Sequence, residues 1–299
     1  EKKNGLPMAS SLGRRVHRRL GPLVLALICT KVQRKSSQHR HEIRNIRDTL
    51  ALAKHSETEA PELRILFEDP SLVCIHKPPG MLMHRTPLAK GDSIFVLQTL
   101  RNQLGGRRVY PVHRLDRATS GVCLFGLTPE AASDLAEQFS ARTVEKEYWA
   151  LVRGWVDDEG AIDHPISGSK DGVASHPQAA VTTYRRLRSV ELPESVDIYP
   201  TSRYSLVSAS PRTGRRQQIR KHFKHISHHI IGDTTHGKGK HNRFFRDRYG
   251  VSRLMLTSRR LCFDHPLSGE RVCVRAADEP EWVLLFDAFG WEPVQPPPE

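Results

Sequence analysis

Two apolar stretches, residues 109–112 and 122–127, enclose a polar one, Arg114 to Gly121. Short runs rich in β-branched and aromatic residues read as strands, so the polar residues between them are forced into a loop. The segment is His113-Arg114-Leu115-Asp116-Arg117-Ala118-Thr119-Ser120-Gly121. Its single carboxylate, Asp116, lies among Arg114, Arg117 and His113 and is followed by two hydroxyls and a glycine. Neighbouring cations favour the charged form of a carboxylate, which predicts an ionised Asp116 available as nucleophile or base. The alternative is an aspartate that locks the loop through salt bridges and capping bonds.

The same alternation of strand and turn recurs along the chain. Residues 64–68 and 72–76 flank Asp69-Pro70-Ser71, a turn composition that predicts a β-hairpin, stopped by Lys77-Pro78-Pro79-Gly80. Thr128-Pro129 marks a helix start, with Leu135 and Phe139 as an i, i+4 apolar pair. Residues 143–153 return to strand, with Val144, Lys146, Tyr148, Ala150 and Val152 on one face. Further on, 203–209 reads as a strand and 215–226 as a helix. Ile219, Phe223 and Ile226 lie on its buried side, with Arg216, Arg220 and Lys224 in a row on a neighbouring face. A hairpin is expected over 254–263 and 271–276, and an amphipathic helix around Trp282, Leu285, Phe286 and Phe289. Many strands with scattered helices and no βαβ rhythm indicate an α+β fold over residues 61–292, followed by a Pro-rich tail, 293–299.

Charge narrows the class of partner. The chain has 46 Lys+Arg against 33 Asp+Glu, a formal charge of +13. Residues 203–260 hold 15 basic and 2 acidic side chains, and residues 1–60 hold 13 and 5, so the remainder is acidic. One positive sector on an acidic body fits a polyanion such as nucleic acid, whereas a solvated charged face normally mixes both signs. The longest apolar run, 23–29, is far short of a bilayer span, and no membrane partner is expected. The 5 cysteines form no C-x-x-C pair, which argues against a disulfide scaffold or a Cys-based zinc site and for a reducing compartment.

Residues 1–60 read as a basic extension. From Lys2 to His41 there is no acidic residue, while arginines alternate with serines, the composition of an organelle-targeting presequence. Mitochondrion or plastid is the expected destination. A secretory h-region at 23–29 is a second reading. A third is a flexible arm that touches nucleic acid and leaves the chain in the cytoplasm or nucleus.

The segment around Asp116 resembles the H-R-L-D-x-x-T-S-G motif of the RluA-type pseudouridine synthases, in which the aspartate is catalytic, and every specified position matches. Residues 66–69 and 75–80 look like that family's opening hairpin and its K-P-x-G stop. Lys146-Glu147-Tyr148-Trp149-Ala150 is similar to the K-x-Y-x-A strand, whose tyrosine lies against the target base. Thr213-Gly214-Arg215-Arg216-Gln217-Gln218-Ile219-Arg220-Lys221-His222 resembles the T-G-R-x-H-Q-I/L-R-x-H segment, whose last arginine pairs with the aspartate. Ile230-Ile231-Gly232-Asp233, Leu254-Met255-Leu256 and His265-Pro266 continue the likeness, which runs from about Leu63 to Trp291. Within the family it is greatest to the tRNA pseudouridine synthase C branch, through Pro200-Thr201-Ser202-Arg203-Tyr204, residues 237–250, and Phe289-Gly290-Trp291. One position departs: Gln217 stands where the family usually has His, and an amide cannot become cationic.

The resemblance implies a pseudouridine synthase fold, a central mostly antiparallel or mixed sheet flanked by helices and loops, with an active-site cleft. It also implies isomerisation of a specific uridine in RNA, with the T-arm of tRNA as the expected place and rRNA as the alternative. The reaction involves neither redox change nor group donor, so no cofactor and no metal are expected. Asp116 would act at the ribose, as nucleophile at C1′ or base at C2′. Arg220 would hold it charged through a bidentate pair. Tyr148 would stack on uracil and assist loss of the C5 proton. Arg114, Lys146, Arg215, Arg216 and Lys224 are candidate RNA contacts.

Histidines 222, 225, 228, 229, 236 and 241 mix with Arg and Lys, which repel cations, so RNA-facing or capping roles are expected of them rather than metal binding. Phe244, Phe245 and Tyr249, interleaved with Arg243, Arg246 and Arg248, fit a basic loop that stacks on bases. Residues 1–60 are too short and unpatterned for a separate RNA-binding module, and the chain is expected to act as a monomer. Two other functions are weighed. A non-catalytic RNA-binding or RNA-folding protein has no need of Asp116, Tyr148 and Arg220 together. A uracil-releasing glycosidase commonly needs a second carboxylate.

Overall fold

Asp69 builds the first turn. Its Oδ1 accepts from the backbone N–H of Ser71 at 2.6 Å and of Leu72 at 2.9 Å, a local bond that short acidic side chains offer where the chain reverses. The turn pairs β1 (Arg64–Glu68) with β2 (Leu72–Lys77) antiparallel, with a bulge between Ile65 and Phe67. From the far end of the sequence, His265 Nε2 meets Asp69 Oδ2 at 2.6 Å and ties two turns together. The chain is seen here in a computed structural model that describes residues 62–85, 94–170, 173–174 and 176–294. The extension 1–60 and the end of the Pro-rich tail lie outside the described residues.

The elements continue as α1 (Val96–Gln103), β3 (Tyr110–Pro111), β4 (Ser120–Gly126), α2 (Pro129–Ala141), β5 (Glu145–Arg153) and β6 (Glu159–Asp163). The short pair β7 (Ser169–Lys170) and β8 (Val173–Ala174) follows, then β9 (Val181–Leu192), β10 (Ser202–Pro211), α3 (Gln218–His225) and α4 (Gly239–Tyr249). The hairpin β11 (Leu256–Asp264) and β12 (Arg271–Arg275) and the helix α5 (Pro280–Phe289) complete the described chain. As expected, Thr128 caps α2, accepting from Ala131 N at 3.2 Å with Pro129 at the first position.

Ten strands form one mixed sheet in the order β1-β2-β4-β11-β5-β10-β9-β6, with β12 on β11 and β3 on β4. Every pairing is antiparallel except β4 with β11, a parallel junction of only two residue pairs. Alternation sorts the strands into layers: Leu72, Cys74, Val122 and Leu124 join Leu135 of α2, while Val73, Ile75, Cys123 and Phe125 join Val96 and Leu100 of α1. Beyond the junction, Ala150, Val152, Val207 and Ala209 pack under Ile219 and Phe223 of α3. Tyr148 packs against this cluster and against that of α1. The α+β architecture around a mixed sheet is therefore as expected from the sequence.

Several local expectations change. The helix expected over 215–226 begins only at Gln218, because Gln217 takes a left-handed backbone, φ 56°. Arg216 thus precedes the helix and the Arg216-Arg220-Lys224 row does not form. Val144 precedes β5 and packs with Leu135 and Phe263, not with the Tyr148 face. The stretch read as a basic, base-stacking loop is the helix α4. Phe245 and Tyr249 are buried in it, their rings against Tyr204 of β10 and Phe289 of α5. Against the expectation of no disulfide scaffold, Cys262 and Cys273 face each other across β11 and β12 and form a disulfide. Their spacing of 11 residues carries no signal; the hairpin register brings them together.

Candidate active site

The loop that carries Asp116 rests on a buried lysine. Lys77 is fully buried and donates from Nζ to the carbonyl oxygens of Pro78 at 2.8 Å and Arg117 at 3.1 Å, while Gly80 N donates to Arg117 O at 2.8 Å. The Lys-Pro-Pro-Gly turn therefore ends a strand and also clamps the loop. Burial pulls the Lys77 pKa down to about 8, against the attraction of Cys123, Asp116 and Glu279. Thr119 N closes the turn on Asp116 O at 3.1 Å, and Leu115 anchors it among Val73, Ile75 and Phe125.

The end of the motif meets the seam of the sheet. Gly121 has φ +104°, and a Cβ there would lie 2.2 Å from the carbonyl oxygen of Ser258, its partner on β11. Only glycine allows that approach. Ser120 Oγ accepts from Arg253 Nη1 at 2.9 Å, and Arg253 pairs with Glu279 at 3.0 Å and Glu281 at 3.2 Å. Burial alone would raise the Glu279 pKa, but His76, Arg253 and Ser120 hold it at about 2.

His113 does not contribute a positive charge. Its Nε2 accepts from Leu124 N at 2.9 Å and its ring stacks on Phe139 at 4.7 Å. Burial, reinforced by Lys146, drops its pKa to about 3. The expectation that His113 helps to surround Asp116 with cations is corrected: the ring is a neutral strut. Arg117 turns its Nε to Gly80 O at 3.0 Å.

Arg220 comes from α3, across the sheet junction. Its guanidinium is 6 % exposed and donates from Nε to Asp233 Oδ2 at 2.7 Å and from Nη2 to Asp233 Oδ1 at 2.8 Å. Asp116 receives only Nη1, at 3.5 Å. The bidentate pair expected with Asp116 is instead made with Asp233, the acid of the Ile-Ile-Gly-Asp string. Asp233 Oδ1 also accepts from Thr235 N at 2.9 Å and His236 N at 2.8 Å. Burial acts to raise its pKa, yet these bonds hold it below the ordinary value. Asp233 is a site residue that local sequence does not reveal: the Ile-Ile-Gly-Asp string resembles the family's, but its partner Arg220 is set by the fold.

The departure at Gln217 acquires a context. Burial lowers the His236 pKa, and the neutral ring's Nε2 lies 2.9 Å from Gln217 Oε1. An amide oxygen can accept that N–H, so Gln217, His236, Asp233, Arg220 and Asp116 form one chain of contacts. Gln218 is buried and satisfied at both ends: Oε1 accepts from Thr213 Oγ1 at 2.7 Å and Arg215 N at 3.0 Å, and Nε2 donates to Val181 O at 2.9 Å and Thr182 Oγ1 at 3.0 Å. It holds the turn that delivers Arg220.

Asp116, Tyr148 and Arg220 line one open cavity of about 530 Å³. Arg114, Lys146 and Arg215 line it too, while Arg216 and Lys224 are exposed outside its lining. Burial pushes the Tyr148 phenol above its ordinary pKa, with Ser258 beside it pulling the other way, so the hydroxyl stays protonated at neutral pH. Burial and Arg142 lower the Lys146 pKa. Among the described residues that line the cavity, Asp116 is the single carboxylate.

Part of the positive sector is spent on internal ion pairs. Arg203 meets Glu191, Arg248 meets Glu194, Arg259 meets Asp278 and Arg260 meets Glu147. Among the described residues of that sector, Arg212, Arg216 and Lys224 near the cavity and α3, and Lys238 and Arg243 at α4, have no carboxylate partner. The histidines have separate protein partners: His222 with Thr182 and the His164 carbonyl, His228 with the Arg153 carbonyl, His229 with the His236 carbonyl, and His241 with Tyr204. No group of three or more His, Cys, Asp or Glu side chains among the described residues could hold a metal ion. None of the described helices is long and apolar enough to cross a membrane.

Known proteins share this arrangement. The RNA pseudouridylate synthase family model matches residues 71–225. tRNA pseudouridine synthase C of Haemophilus ducreyi is 47% identical over 236 residues, which cover 77% of this chain and 97% of that protein. Its counterpart in Vibrio parahaemolyticus is 43% identical over 238 residues, covering 77% and 96%. Among solved structures, human RNA pseudouridylate synthase domain containing 1 superposes with a TM-score of 0.58 at 25% identity, over 74% of this chain and 86% of that one. With Asp116 and the arginine from α3 meeting in one cavity and these matches over most of the chain, the chain belongs to the RNA pseudouridylate synthase family and is an isomerase of uridine in RNA.

Proposed function

We propose that this enzyme converts a uridine in the T-arm of tRNA to pseudouridine, with Asp116 as the reacting group and no cofactor. The observation that carries the reading is the setting of Asp116: a carboxylate 25% exposed, alone in a cavity lined by Arg114, Arg212, Arg215 and Arg220, with Tyr148 in the same wall. tRNA as the substrate is supported by the relatives named tRNA pseudouridine synthase C, which align over 77% of the chain; the T-arm rests on the motif resemblance to that branch alone.

A uridine inside a folded RNA has to leave its stack, at a cost of a few kcal/mol. Arg114, exposed at the cavity rim, occupies the space it vacates. Asp116 then acts at the ribose, attacking C1′ or removing the C2′ proton, and the C1′–N1 bond breaks. The uracil turns and C5 joins C1′, displacing Asp116 from C1′ or, on the other route, adding to C1′ as the proton on Asp116 returns to C2′; the proton lost from C5 is balanced by one gained at N1. Nothing is oxidised and no group leaves, so the residues present suffice. Tyr148, held as a neutral phenol, gives the uracil a face to stack on and an O–H to bond; it is not a phenolate base. Arg220 keeps Asp116 facing the sugar while Asp233 fixes Arg220.

The test is tritium release from tRNA labelled at uracil C5, read together with free uracil. Release without free base is the expected result. Free uracil would make the protein a glycosidase, release from rRNA alone would move the substrate, and no release from either RNA would overturn the proposal.

A further inference from the structure

A second cavity lies beyond the catalytic one, and two segments that take no part in the catalytic lining build much of it. It holds about 310 Å³ and is lined by Arg153, Tyr199, Arg203, Ser227, His228 and His241, among others. That volume sits at the lower end of small-ligand pockets, ~300–1,000 Å³. Arg153 ends β5, five residues beyond Tyr148, which places it about 17 Å along the strand at ~3.3 Å per residue. Helix α3 joins the two sites: Gln218, Ile219 and Arg220 line the first, and Ser227 and His228, just past its end, line the second. Exposed Lys224 lies between them on the same helix.

The chemistry of this cavity is that of a base and its phosphate. Tyr199 in the lining is 59% exposed, and Trp155, outside the lining and 45% exposed, stacks under the guanidinium of the lining residue Arg203 at 4.3 Å. Exposed aromatic faces beside arginines are the features that take unpaired bases, because every base has a π-face. His241 is buried; its Nδ1 meets Tyr204 Oη at 2.8 Å, and its Nε2 has no protein partner. The acid of the lining, Asp197, is paired with Lys240 at 2.8 Å, so it does not repel a phosphate as a bare carboxylate would. We infer that the cavity binds one unpaired nucleotide of the RNA whose target uridine occupies the Asp116 cavity, its base on Tyr199 and its phosphate at Arg153, with the intervening backbone following Lys224.

The inference rests on the RNA isomerase reading, and its test is read from binding, independently of turnover. The probe is a tRNA transcript containing the T-arm, with copies in which single nucleotides outside the target are replaced by abasic sites. Tyr199→Ala at the surface and Arg153→Gln at the half-buried end of β5 are each expected to weaken binding of the transcript by the full chain about tenfold, with kcat at saturating RNA unchanged. One abasic copy is expected to lose about tenfold with the wild-type protein and nothing further with Tyr199→Ala, the signature of a base on that ring. Two variants that bind like wild type, or no abasic position coupled to Tyr199, would overturn the inference. A wild-type protein that binds in this pattern yet releases no tritium would leave the pocket standing and remove the isomerase reading.

Discussion

Arg220 grips Asp233 with two bonds, at 2.7 and 2.8 Å, and offers Asp116 a single nitrogen at 3.5 Å. The buried pair fixes the guanidinium, and what remains of its donor set faces the reacting carboxylate. Asp116 is thereby held in direction while half of its bonding capacity stays open to substrate.

Replacing Asp116 by Asn keeps the shape and removes the charge. Tritium release is expected to fall by roughly 10³-fold or more, with the Kd for tRNA nearly unchanged. Steady-state kinetics and filter binding on the same preparation check both halves of the expectation.

Asp233→Asn loosens Arg220 without touching substrate. Disrupting a buried charge pair costs about 3–5 kcal/mol of stability, which chemical denaturation measures. A misplacement of about 1 Å at a reacting group lowers kcat roughly 10²-fold. The loss should appear in kcat more than in KM, because Asp233 is 1% exposed and lies away from the RNA face.

Gly121→Ala places a methyl group 2.2 Å from Ser258 O at φ +104°. Left-handed strain and overpacking each cost ~1–3 kcal/mol, so a loss of about 3 kcal/mol or more is expected in urea unfolding. Activity should fall as well, since the same seam supports the Asp116 loop.

His113 predicts a pH dependence of stability. With a folded pKa of about 3 against 6.5 in the unfolded chain, the unfolded state binds the extra proton between those values. Stability therefore falls as pH drops through that window and recovers as it rises. In His113→Gln the amide oxygen can replace Nε2 as the acceptor for Leu124 N and does not titrate. Its stability slope between pH 4 and 6 should be shallower by about 1.4 kcal/mol per pH unit, measured by urea unfolding across pH.

The Asp116 loop and the strand bearing Tyr148 were legible because their residue types and local spacing are themselves the signal. Choices made by tertiary approach were not. A sequence shows that Arg220 needs an acid, but only the path of the chain after α3 decides that Asp233 takes two of its bonds. Phe245 and Tyr249 have helical spacing, yet Arg243, Arg246 and Arg248 between them hide the buried stripe of α4. Cys262 and Cys273 pair only because the β11–β12 register sets them opposite each other. His113 stands among basic residues in the sequence and is neutral because burial, with Lys146 acting in the same direction, disfavours its charged form.

β11 lies between β4 and β5, although more than a hundred residues of sequence separate it from either. A nascent polypeptide that has emerged only as far as residue 255 already contains Asp116, Tyr148 and Arg220, but nothing yet stitches the strand after the first to the strand bearing the second. Competence therefore arrives late in synthesis, and a premature stop between Arg220 and that hairpin yields a product with every reacting group and no working enzyme.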